Sequence, residues 1–316
     1  MESSRASRRR RARRPRRRPL LFTALAVIAV SGVTAGGTVY VKARAHSGAG
    51  AVASASASAP ASVSPSTTEA SVEPAAVDRK ALLSRAMASV SVPSGAKVSA
   101  AVLEVDSGES AAYGGAAFDT ASIVKVDILA TLLLQAQGAG RQLTVAEKAY
   151  ATKMIENSDN ASATALWHTI GRAKGLDAAN ERFGLAETSG GSGELWGLTQ
   201  TTAADQLALL QQVFGEESLL SAASRTYVQG LMKGVEADQQ WGVSAAAVGS
   251  SWALKNGWLA RSTTGLWDVN SIGRVTVDGT DYLVAVLSRG TVSEAKGISL
   301  VEDAAKAAVS SFATPL

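Results

Sequence analysis

The chain contains no cysteine in 316 residues. That absence excludes thiol nucleophiles, disulfide staples, thiolate metal sites and a lipoprotein-type anchor. Histidine is nearly as scarce, with two in the whole sequence. His46 lies in an Ala/Ser/Pro-rich stretch, and His168 lies in the helical-looking run Ala161–Ile170. A histidine-built zinc site lacks ligands, so neither metal nor cofactor is expected. A Ser-His-Asp triad would have to recruit His168, which nothing nearby in sequence supports. By pattern, His168 reads as a helix packing residue.

Basic charge is also short once the N-terminus is set aside. Residues 1–18 hold ten arginines, and Lys42 and Arg44 follow. From Ala45 onward, nineteen Lys+Arg face twenty-six Asp+Glu, a balance of −7. The formal charge of +4 is thus a property of one end. The folded part is acidic, and nucleic acid is not an expected partner.

The arginine block precedes Leu20–Val41, a charge-free apolar run. A basic segment ahead of an apolar one is an export signal, and about 20 apolar residues suffice to span a bilayer. Residues 1–19 are therefore read as a basic cytoplasmic segment. Residues 20–41 are read as a signal peptide or a membrane anchor, with the anchor favoured by length. Residues 42–78, mostly Ala, Ser, Pro, Thr and Val, read as a stalk that cannot bury a core. Residues 79–316 are the expected folded domain, placed outside the cytoplasm either tethered or secreted. At about 240 residues such a domain can bury a full core without disulfides.

What the chain does contain is three short motifs in order: Ser122-Ile-Val-Lys125, Ser158-Asp159-Asn160 and Lys255-Asn256-Gly257. Two other Ser-x-x-Lys matches, Ser94–Lys97 and Ser293–Lys296, sit in a Gly/Ser turn and a polar connector. Only Ser122 opens a long apolar stretch, Ile123–Leu134, that reads as a buried helix. Residues i and i+3 share a helix face, so Lys125 lies beside Ser122. A lysine among Val124, Val126, Ile128 and Leu129 tends to lose its proton, because desolvation disfavours the charged form. It then serves as a base for the Ser122 hydroxyl. Asp127 on the same helix is a candidate neutraliser of Lys125. Taken alone, Ser158-Asp159-Asn160 is equally a helix cap, and Asn256-Gly257 is equally a hairpin turn.

Periodicity predicts a helix over 78–90 and strands over 97–106 and 109–113. Helices follow near 122–137, 144–157, 159–171 and 202–214. Strands return over 251–259, 266–277 and 281–288, with a hairpin turn at Asp278-Gly279. A closing helix is expected over 299–312. Strands at both ends with helices between argue for an α+β fold: an antiparallel sheet from both termini and an inserted helical lobe.

With these motifs in this order, the domain resembles the class A β-lactamase-type serine hydrolases and the penicillin-binding transpeptidases that share their fold. Thr201-Thr202 ahead of Asp205, and Gln240-Trp241-Gly242 ahead of the sheet, add to the likeness. The resemblance implies a five-stranded antiparallel sheet. It implies Ser122 as nucleophile, Lys125 as its proton partner and Ser158 as proton relay to the leaving group. Asn160 would hold the lysine or the substrate, and Lys255 would attract a substrate carboxylate. The backbone N–H groups of Ser122 and Trp258 would form an oxyanion hole beside Gly257.

Three departures from the family pattern stand out. Asn256 replaces the usual Thr or Ser after the lysine; its carboxamide is expected to donate to a substrate carboxylate with a different reach. Bulky Trp258 stands where a small residue is usual. No Glu-x-x-Leu-Asn pattern supplies a deacylation base, leaving Glu194 as the best candidate, with a solvated loop glutamate as its plain alternative. The expected function is an exported serine hydrolase acylated at Ser122 by a β-lactam or a peptidoglycan-like peptide, with slow deacylation. A catalytically eroded wall-binding module of the same fold competes with it, and a glutaminase-like amidase is a weaker third.

Overall fold

The computed structural model describes residues 77–313. The basic segment, the apolar run and most of the stalk lie outside the described residues.

The chain begins with α1 (Arg79–Met87), capped by the Asp78 carboxylate, which accepts from the Ala81 amide. It continues through β1 (Lys97–Glu104), β2 (Ser110–Tyr113) and the two-residue β3 (Phe118–Asp119). A single 3₁₀ turn, Ala121–Ile123, then feeds α2 (Val124–Gly138). The helical lobe continues with α3 (Val145–Glu156), α4 (Asn160–Thr169) and α5 (Arg172–Phe183). A short β4 (Gln200–Thr201), which pairs with β3, leads to α6 (Ala203–Phe214) and α7 (Ala222–Lys233). The chain returns through β5 (Trp252–Ala260), β6 (Trp267–Val277) and β7 (Thr280–Thr291), and ends in α8 (Glu294–Ala313).

The main sheet has the order β2-β1-β7-β6-β5, and every neighbouring pair is antiparallel. Both faces of its middle are covered, so β7 is buried almost without a break from Tyr282 to Ser288. The two-residue period still sorts its side chains. Leu283, Ala285 and Leu287 face the helical lobe, while Tyr282, Val284 and Val286 pack with α1 and α8. The Asp278-Gly279 hairpin is as expected, with both residues at positive φ (49° and 85°), the conformation of a two-residue primed turn.

α2 is the core of the lobe. Twelve of its residues are buried, and Ala121–Gly138 is apolar and long enough to span a membrane, yet 78% of it is enclosed by the protein. Its hydropathy is therefore that of a core helix. α8 starts at Glu294, earlier than expected. Ser293 caps it, its Oγ accepting from the Lys296 amide at 3.3 Å, so the Ser293–Lys296 match is a helix start and not a connector.

Candidate active site

The site forms where α2, the turn before α4 and edge strand β5 meet. Ser122 sits in the 3₁₀ turn ahead of α2, and Ala121 before it has φ +48°. Ser158, in the turn before α4, has φ +54°. Left-handed backbone at two non-glycine residues is strained, and its clustering here is the kind of cost met at functional sites. The Asp159 carboxylate is the true α4 cap, accepting from the Ser162 amide at 2.7 Å. Capping by the middle residue leaves Ser158 and Asn160 on either side to turn toward Lys125.

Lys125 is fully buried and completely engaged. Its Nζ lies 2.9 Å from Ser122 Oγ, 2.6 Å from the Ser158 carbonyl, 3.0 Å from Ser158 Oγ and 2.8 Å from Asn160 Oδ1. Burial pulls its ammonium down to about 7, while the Asp159 carboxylate pulls the other way. Near neutral pH a large fraction is thus the free amine, able to accept the Ser122 proton.

Lys255 approaches from β5, also fully buried, and donates to Ser158 Oγ at 3.0 Å. Its pKa lies well below the ordinary lysine value, first from burial and then from the charge of Lys125. Ser158 Oγ therefore joins two lysines. Asn256-Gly257 is not a hairpin: Lys255, Asn256 and Gly257 pair in register with Ile272, Ser271 and Asn270. Gly257 lets the strand touch the head of α2 backbone to backbone. A methyl group there would come within 2.6 Å of Ser122 N and 2.8 Å of Ile123 N.

Four expectations need correction. Asp127 does not neutralise Lys125: it accepts from Asn180 Nδ2 at 3.0 Å, and burial raises its carboxyl to about 7. Asn256 does not offer its carboxamide N–H groups to the cleft, because Nδ2 donates to the Gln239 and Trp241 carbonyls. It fastens β5 to the 239–241 segment instead. His168 is no packing residue. It is exposed on α4, its Nε2 2.6 Å from Glu194 Oε2. Glu194 is turned outward, its other oxygen accepting from Arg172 Nε at 2.9 Å. The hydrogen bond from His168, then the charges of His168 and Arg172, hold the Glu194 carboxyl below its usual range. Trp258, for its part, sets its ring edge-to-face on Trp241, with 5.8 Å between centroids.

One residue escaped the sequence reading. Trp196, in a 3₁₀ turn before β4, lies with its ring centroid 5.0 Å from Lys125 Nζ. A Trp-Gly-Leu turn in a short loop has no periodicity to mark it.

The Beta-lactamase enzyme family model matches residues 133–312, over half of the sequence. The chain belongs to this family. The match begins after Ser122 and Lys125, so their placement rests on the geometry above. The fold is that of the β-lactamases and transpeptidases. A PBP-A variant solved as an acyl-enzyme with penicillin G superposes with a TM-score of 0.64 at 19% identity, covering 74% of this chain and 96% of that one. A class A β-lactamase from Bacteroides cellulosilyticus gives 0.63 at 15%, covering 74% and 98%. The TLA-3 extended-spectrum β-lactamase gives 0.65 at 15%, covering 75% and 98%. Curated proteins give no match to this sequence.

Proposed function

We propose that this protein is an exported active-site serine hydrolase that forms an acyl-enzyme at Ser122 with a β-lactam or a peptidoglycan-like amide and releases it slowly. The observation that carries this reading is the buried Lys125 Nζ at 2.9 Å from Ser122 Oγ, with its pKa drawn to about 7. Neutral Lys125 takes the hydroxyl proton as Oγ bonds to the amide carbonyl carbon. The oxyanion is met by the backbone N–H groups of Ser122 and Trp258. The C–N bond breaks as the nitrogen takes a proton from Ser158 Oγ, which is replenished through the two lysines it touches. Lys255, Gly257 and Asn160 line the same junction, and a substrate carboxylate arriving beside Lys255 would favour its ammonium form against the burial that lowers it. Slow release is supported by Glu194, the candidate base, whose two oxygens are occupied by His168 and Arg172. Export rests on the arginine block and apolar run at residues 1–41. The acyl-enzyme captured with penicillin G in the PBP-A variant supports the substrate class.

Intact mass after incubation with penicillin G tests the reading. One drug mass should be added, on a peptide containing Ser122, and Ser122→Ala should abolish it. An eroded wall-binding module predicts no adduct at any time.

A further inference from the structure

Resting on that acyl-enzyme reading, we infer that Trp196 is the positioning residue that keeps the acyl-enzyme intact: its ring covers Lys125 and closes the approach that water would take to the ester. The segment Gly193–Leu198 is built as a strap to hold it there. Three side chains of α4 and one of α5 clasp it. Trp167 Nε1 donates to the Gly193 carbonyl at 2.8 Å, and His168 meets Glu194 at 2.6 Å. Arg172 Nε donates to Glu194 at 2.9 Å, and Trp196 Nε1 donates to Thr164 Oγ1 at 3.1 Å. Trp167, the anchor at the strap's start, is itself fully buried. At the far end Gly197 lies over Ala121, and a Cβ at 197 would meet Ala121 Cα at 3.9 Å. The strap thus spans from α4 to the residue before Ser122.

The four oxygens around Lys125 occupy one flank, and the Trp196 face occupies another. Among the described residues no carboxylate hydrogen-bonds Lys125. The ring is also a favourable neighbour for Lys125 when it is protonated. Deacylation needs a water oxygen to bond to the acyl carbon. One water proton must pass to a base, and Ser122 Oγ must leave with a proton. On this inference the ring takes up the space beside Lys125 that such a water would need. A groove of about 560 Å³ is lined by Thr164, Trp196 and, across from them, the end of β5 and the residues after it, Leu259–Thr263. Trp196 therefore borders both this groove and Lys125. Removing the ring would open a path for water from this groove to Lys125, whose free-amine form can then act as the base.

The test uses penicillin G with three forms of the protein: wild type, Trp196→Ala and Trp196→Phe. Adduct formation and adduct decay are followed separately by intact mass. Decay is read from preformed adduct, so any change in the rate of formation does not enter it; the Trp196→Ala adduct should decay at least about 10-fold faster than the wild-type adduct, since water is admitted to a formerly closed site. Trp196→Phe keeps a ring over Lys125 without the Thr164 bond, and should retain slow decay. Decay of Trp196→Ala at the wild-type rate or slower overturns the inference. So does decay of Trp196→Phe as fast as that of Trp196→Ala, which would assign the effect to the Thr164 bond. Failure of the wild type to form any adduct overturns the proposed function and removes the basis of this inference with it.

Discussion

The two flanks of Lys125 are built in opposite ways. On one, Ser122, Ser158 and Asn160 give four oxygens within 3.0 Å, delivered by a strained turn, a capped helix start and a core helix. On the other, a surface strap lays an aromatic ring over the amine and turns its glutamate away to His168 and Arg172. The first flank holds the nucleophile and the proton relay of the proposed acylation, on either side of its base. Among the described residues, no carboxylate hydrogen-bonds Lys125 from the second, and Glu194 is engaged by His168 and Arg172. On the proposed function, the contrast assigns the forming and the cleaving of an acyl-enzyme to different segments of one site, so that one can be kept while the other is left unequipped.

Breaking the polar flank should have the largest effect. Lys125→Arg keeps the charge but cannot deprotonate, and its planar head does not fit four oxygens gathered around one nitrogen. Acylation by penicillin G should fall about 10²–10⁴-fold, the usual worth of a positioned base, as measured by the rate of adduct formation. An unchanged rate would place the base elsewhere.

The pH profile sharpens the same flank. Lys125 is lowered to about 7, so its reactive free-amine form is lost as pH falls below that value. The acylation rate should drop about 10-fold per pH unit below about 7 and level off above it. A flat profile across neutrality would mean that Lys125 does not titrate in that range.

On the far side of α2, Asp127 tests whether burial alone makes a site. Its Oδ1 and the Oδ1 of Asn180 both lack partners. Its folded-state pKa is raised from 3.8 to about 7, so between these values the folded state binds the extra proton. Stability should therefore decline as pH rises through that window. Asp127→Asn supplies the missing donor and removes the buried charge. It should stabilise the protein by about 1–3 kcal/mol at pH 8, the cost of an unsatisfied buried group, with less gain at pH 4. Denaturant melts at the two pH values measure this. Equal gain at both would show that Asp127 is not protonated on folding.

The smallest effect concerns the strap's clasp. If Glu194 were the deacylation base, Glu194→Gln would slow adduct decay. As a clasp for Trp196, Glu194→Ala should leave decay unchanged or speed it a few-fold, because two of the four clasping bonds are lost, both of them exposed, while Trp167 and Thr164 keep theirs. Slower decay in either variant would return Glu194 to the candidate bases.

Much of this was legible from the chain. The Asp278-Gly279 turn and the strand–helix order follow from periodicity and turn chemistry, which are local. Ser122 and Lys125 were legible because a helix fixes i and i+3 on one face. Partners set by long-range packing were not. Asn256 reads as a substrate donor until the 239–241 carbonyls are seen to take its amide hydrogens. Glu194 reads as a base until His168 and Arg172, 26 and 22 residues away, are seen to claim it. Trp196 carried no local signal, since its role comes from where a non-repetitive loop lands in space.

Rapid mixing with a chromogenic cephalosporin tests the separation of the two tasks most directly. A burst of about one equivalent per protein, followed by a much slower steady phase, is the outcome expected when acylation is equipped and deacylation is not. Fast linear turnover with no burst would contradict the account.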